Sequence, residues 1–195
     1  MTLVEKFSII GSVASAIAIV VSFTVFTIQR QEDIARRNSD RANELLAIKK
    51  IITVNCELIK TALLGNQKIV DMVLSKKYAD VLMQKTGNIF YIIFKDGYND
   101  NTKEYSWKTS YKFYFVNKFI DTNLLVLAKH NQDIITSITG IFTLIDDVNN
   151  VTEALINDLV NHNYTLVTTR AGSVKVYSEA LMTRIDTLMV ELSMI

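Results

Sequence analysis

The chain has no proline, one cysteine (Cys56), six glycines and two histidines in 195 residues. Each scarcity excludes something. Without proline, no helix is interrupted by a missing backbone donor. A single cysteine rules out an intramolecular disulfide and suits a reducing compartment. Gly11, Gly65, Gly87, Gly97, Gly140 and Gly172 lie too far apart to build a phosphate-cradling loop. His130 and His162 are distant from each other and from Cys56, so no metal-ligand spacing is present. No nucleophile elbow, kinase signature or zinc-protease helix occurs. Asp146, Asp147, Glu153 and Asp158 read as a solvated helix face. The expectation is therefore a non-enzyme with no catalytic residue, metal or cofactor. A net charge of +1 likewise gives no basis for bulk nucleic-acid binding.

What the chain has in excess is apolar length at its start. Residues 7–28 contain no charged or amide side chain. As a helix this run extends about 33 Å at ~1.5 Å per residue, against a hydrocarbon core of ~30 Å. A signal peptide would place Ala14-Ser15-Ala16, its cleavage-like triplet, in the middle of the run. The run thus predicts a spanning helix in the lipid bilayer. Arg30, Arg36, Arg37, Arg41, Lys49 and Lys50 follow it, which predicts an outside N-terminus and a cytoplasmic remainder. Arg30, Arg36 and Arg37 are candidate contacts for lipid head groups. These features predict a single-pass membrane protein.

Within the run, Ser8, Ser15, Ser22 and Gln29 recur every seven residues, with Gly11 and Ala18 between them. Such small-residue stripes mark helix–helix contact in membranes, so they predict a homo-oligomer. With four or more helices, a tetramer for instance, the same residues would line a narrow pore.

Beyond Arg30 no glycine occurs before Gly65, which lets the helix continue as a stalk over residues 31–64. Leu45, Ile48, Ile52, Ile59 and Leu63 supply a near-heptad seam for it. Gly65-Asn66 reads as a helix stop. A second helix is predicted over 67–85, carried by Ile69, Val70, Val73, Leu74, Val81 and Leu82. The apolar stretch 89–94 is undecidable between strand and helix, and 88–107 is open to a small β-hairpin. Helical spacing resumes near Lys108 and continues over 121–161, and a last helix is predicted over 172–194. The predicted class is an all-α membrane protein: spanning helix 1–30, stalk 31–64 and cytoplasmic helical bundle 65–195.

Aromatic residues crowd into residues 90–119, interleaved with lysines. Three readings fit: an aromatic core, a protein-partner surface, or a surface for a nucleotide-type ligand. Tyr105, Trp107, Lys108, Tyr111 and Lys112 are the candidate receiving residues. The uncharged 7–28 span, its serine stripe, the basic flank and a helical domain without catalytic signature together resemble small single-pass membrane effectors of bacterial anti-phage defence systems. The channel effectors of Hailong type are one example. That resemblance implies an ion channel in a bacterial inner membrane, controlled by a nucleotide-type signal. The alternative expectation is a membrane-tethered adaptor or scaffold without transport activity.

Overall fold

In the computed structural model, residues 3–118 and 132–194 are described, with side chains over 17–118 and 133–194. Helix α1 (Leu3–Ser75) comes first. Five strands follow: β1 (Val81–Thr86), β2 (Ile89–Phe94), β3 (Gly97–Asn99), β4 (Glu104–Ser106) and β5 (Thr109–Lys112). Two helices close the chain, α2 (Gln132–Val160) and α3 (Tyr164–Ser193). The chain forms two compact units, Met1–Ala47 and Ile48–Ile195.

In the first unit, the described side chains from Ile17 to Glu44 are all exposed. Among the described residues, no helix is long and apolar enough to cross a membrane. The apolar stretch with described side chains, 17–28, extends only about 18 Å at ~1.5 Å per residue. A hydrocarbon core needs ~30 Å, and Arg30, Glu32 and Asp33 follow on the same helix. The expected single-pass placement in a bacterial inner membrane, with the N-terminus outside, is overturned by this finding.

The second unit is not a helical bundle alone. The expected all-α class is corrected by two antiparallel sheets, one ordered β1-β2-β5 and the other β3-β4. Where helix was predicted through residue 85, α1 ends at Ser75 and Lys76 adopts a left-handed φ of 51°. From Val81 the side chains alternate instead. Val81 and Met83 turn inward while Leu82 and Gln84 are exposed, the period of a strand. β1 pairs with β2 from Val81↔Phe94 to Thr86↔Ile89, about the turn at Gly87, whose φ is +60°. Helical spacing near Lys108 also gives way to a strand. β5 pairs with β2 from Phe94↔Thr109 to Tyr91↔Lys112, with Thr109 and Tyr111 more buried than Ser110.

The helices carry most of the seams that the sequence predicts, although the last helix begins at Tyr164, not 172, and Leu45 of the stalk seam is only half-buried. On α3 the buried residues are Val167, Ala171, Val174, Ser178, Leu181, Ile185, Leu188 and Leu192, an unbroken alternation of four- and three-residue steps. On α2 the same alternation runs through Ile134, Ile138, Ile141, Ile145, Val148, Thr152, Leu155 and Leu159. The part of the expected 121–161 helix before Gln132 lies outside the described residues. On α1 the seam is Ile48, Ile52, Cys56, Ile59, Leu63, Asn66, Val70 and Val73, with two successive steps of four at its start. Such a stutter locally unwinds a coiled coil. One core cluster joins Ile69, Val70 and Val73 of α1 to Leu155 of α2, Ala171 and Val174 of α3, and Ile92 and Phe94 of β2. At the opposite side of this unit Lys60 and Asp186 form an ion pair at 2.6 Å. These contacts make α1 parallel to α2 and antiparallel to α3.

The expected stop at Gly65-Asn66 is absent, and the pair has a tertiary task. Asn66 is fully buried on α1. Its side-chain N–H donates to the Tyr114 carbonyl at 2.7 Å, and its Oδ1 accepts from the Tyr114 N–H at 2.8 Å. Asn149 of α2 repeats this two residues on, donating to the Val116 carbonyl at 2.8 Å and accepting from its N–H at 2.9 Å. Two side-chain amides thus stand in for a missing strand partner and hold the segment after β5 between two helices. Gly65 leaves room for the Tyr114 ring. A Cβ there would lie 2.7 Å from Tyr114 Cε2.

Cys56 sits in this core at 0% exposure, and burial pushes its thiol from 9.0 to about 11. Burial also raises the phenols of Tyr78 and Tyr164. As pH climbs, the unfolded chain loses these protons first, so folding loses stability above the unfolded values. For Cys56 alone the loss is about 2 kcal/mol by pH ~10.5, from ~1.36 kcal/mol per unit. Lys60 acts in the same direction. Its pKa is raised chiefly by its hydrogen bond to Asp186, and the stabilisation fades as pH passes the folded value. Urea midpoints are expected to fall between pH 8 and 10.5, and the fall should shrink in Cys56→Ala. An equal fall in both proteins would contradict this account.

Candidate functional site

Three surfaces of the described residues carry functional potential, and each is built by a different part of the sequence. The first belongs to α1 in the first unit. Ile17, Ile19, Val20, Val21, Phe23, Val25, Phe26 and Ile28 are all large, apolar and exposed. They cover most of the helix surface and leave one narrow face for Ala18, Ser22 and Gln29. Ala18, Ser22 and Gln29 of the predicted stripe are exposed among them. The side chains of Ser8, Gly11 and Ser15 lie outside the described residues. Arg30 is exposed directly after Gln29, and Arg36 and Arg37 are exposed about two turns further on.

The second surface is the β3–β4 hairpin. Its strands pair from Gly97↔Ser106 to Asn99↔Glu104. Lys103 supplies the left-handed residue of the turn, with φ 54°. The hairpin is tied to the larger sheet at its base. The Asp96 carboxylate accepts from the Thr109 N–H at 3.0 Å and from its hydroxyl, and the Lys108 N–H donates to the Phe94 carbonyl at 3.1 Å. On it, Tyr98 and Tyr105 face each other with ring centroids 5.0 Å apart, both exposed, and Trp107 follows at 46% exposure.

The structure therefore divides the aromatic–lysine segment that the sequence presents as one patch. Tyr105, Trp107 and Lys108 are exposed at the hairpin. Tyr111 instead packs its ring 6.2 Å from buried Phe94 and belongs to the core margin. Lys112 lies with its ammonium 5.1 Å from the Tyr114 ring centroid. The division follows the two sheets: Tyr105 belongs to the exposed β3-β4 pair, whereas Tyr111 lies on β5 beside β2. Phe119 lies outside the described residues.

The third surface escaped sequence reasoning. Where α1 ends, β1 begins and α2 turns into α3, a cleft of about 320 Å³ opens between Lys76, Tyr78, Asp80, Val81, Tyr164 and Val167, with Ala79 and Thr168 completing its wall. Tyr78 is backed by Phe94, with centroids 5.0 Å apart. Tyr164 Oη is hydrogen-bonded to His162 Nδ1 at 2.9 Å. The Asp80 carboxylate accepts from the Val81 N–H at 2.8 Å, and its carbonyl accepts from the Lys95 N–H at 2.9 Å. Two phenols and one carboxylate are thus positioned by partners behind them. Burial raises both phenols. Tyr164 adds to the rise at Tyr78, and the Asp80 charge adds to it at Tyr164. Both phenols are therefore neutral at ordinary pH. The sequence carried no signal for it; in the structure, Lys76 and His162, both left-handed non-glycine residues, follow the helix ends near this cleft.

Among the described residues, no group of three or more His, Cys, Asp or Glu side chains could hold a metal ion. His130 lies outside them. No protein-family model matches the chain, and no curated protein or solved structure matches it either.

Proposed function

We propose that this chain is a homo-oligomeric assembly protein, an effector or scaffold without catalysis, whose copies associate through the first part of α1. The observation that carries this is the exposed apolar stretch at residues 17–28. A helix with so wide an apolar surface is normally buried against something. Monomers rarely expose contiguous apolar patches larger than a few hundred Å², and none of the described residues covers this one. A second copy brings the same surface, and Ala18 and Ser22 let two such helices approach closely. The second unit then acts as the receiving domain. Its exposed Tyr98, Tyr105 and Trp107 are of the residue types that anchor protein interfaces.

Sedimentation of the full chain at tens of micromolar is expected to give an oligomer. The double variant Val21→Glu, Phe26→Glu should sediment as a monomer with an unchanged circular dichroism spectrum. The second unit is independent of these positions, so loss of folding is not the expected cause. A wild-type chain that is monomeric in plain buffer, or one kept in solution only by detergent and monomeric there, would overturn the proposal.

A further inference from the structure

We propose that the cleft at the end of α1 binds a small zwitterion, a molecule of free amino-acid size carrying one ammonium and one carboxylate. This goes beyond the assembly reading and rests on a different part of the molecule. Lys76 and Asp80 line the same cleft, yet no ion pair joins them. Two opposite charges lining one concave surface can be met together by a ligand that carries both. A pure anion would meet the Asp80 carboxylate, and a pure cation would meet the Lys76 ammonium.

The details assign each end. Asp80 is fixed by the Val81 N–H, and its field reaches Tyr164, whose phenol it helps to keep protonated. An ammonium group is favoured at that corner, where a carboxylate and a neutral phenol oxygen accept hydrogen bonds. Lys76 supplies the counter-charge for a carboxylate. Val81 and Val167 give the wall an apolar stretch for a short carbon skeleton. The volume of about 320 Å³ lies at the small end of ligand sites, which run from ~300 Å³ upward, so the occupant is small. Phe94 behind Tyr78 and His162 behind Tyr164 hold the rings in place before any ligand arrives, which lowers the ordering cost of binding.

Isothermal titration of the full chain with glycine, leucine, glutamate, lysine and tyrosine would test this. Sodium acetate and ethylamine hydrochloride serve as half-ligands. At least one amino acid is expected to bind, and each half-ligand at least tenfold more weakly. Asp80→Asn and Lys76→Met should each weaken binding about tenfold or more, and Tyr164→Phe severalfold. Lys76 and Asp80 are exposed, so these two variants are expected to keep the wild-type melting temperature without ligand. Failure of all five amino acids to bind, binding of a half-ligand as tight as the whole, or affinity unchanged in Asp80→Asn would each overturn the proposal.

Discussion

Replacing Asn66 with alanine is expected to lower the unfolding free energy by about 2–3 kcal/mol. On helix propensity alone the substitution should stabilise, since alanine is the better helix former by a few tenths of a kcal/mol. The opposing effect is larger. Asn66 is at 0% exposure and satisfies both the N–H and the carbonyl of Tyr114. Removing it strands two backbone groups, each costing ~1–3 kcal/mol when left without a partner. Asn66→Asp should be no milder, because it keeps the acceptor but loses the donor and brings a charge into the core. Asn149 is half-buried, so Asn149→Ala should cost less, about 1–2 kcal/mol. The two asparagines hold residues 114 and 116 of one segment, so the double variant should lose less than the sum. Urea unfolding measures all of these. Amide exchange adds a local readout: Asn66→Ala should deprotect the Tyr114 amide more than that of Val116. A loss within 0.5 kcal/mol of zero for Asn66→Ala would contradict the clamp.

Phe94→Ala is expected to be the most damaging single truncation, at about 3–5 kcal/mol. Phe94 is fully buried and lies in the cluster that joins β2 to all three helices. Its ring is also flanked by Tyr78 at 5.0 Å and Tyr111 at 6.2 Å. The cost therefore combines lost burial with a cavity that backbone-paired neighbours on β1 and β5 cannot close. At ~2–4 °C per kcal/mol for a chain of this size, the melting temperature should fall by about 10 °C. Leu82→Ala is the control, a large apolar residue of the same sheet that is 49% exposed, with an expected loss of ~0.5 kcal/mol. Similar losses in the two variants would mean that the sheet does not pack as described. Because Phe94 backs Tyr78, the truncation should also loosen the cleft.

The helical seams were legible because helix formation is governed by neighbours in sequence. The 3–4 spacing of Ile134 to Leu159 and of Val174 to Leu192 marks their buried faces before any partner is known. The same local evidence misled at Gly65-Asn66. A glycine inside a helix costs only ~1 kcal/mol, and the seam that resumes at Val70 and Val73 outweighs it. It misled again at residues 81–86 and 109–112. A strand is stabilised by its partner across the sheet, and short apolar stretches do not carry that partner's identity. Of the candidate binding residues, Tyr105 and Trp107 are exposed, while Tyr111 lies at the core margin because β5 pairs into the larger sheet, a placement that no local pattern encodes.

By itself, then, the sequence determined where long helices lie and which faces they bury. Tertiary structure alone decided that residues 81–112 are sheet, that Asn66 and Asn149 reach across 48 and 33 positions to hold one segment, and that Lys76, Asp80 and Tyr164 meet at one cleft. The physical reason is range. Apolar periodicity acts within a few residues, whereas strand pairing, amide clamps and clefts exist only once distant segments have been brought together.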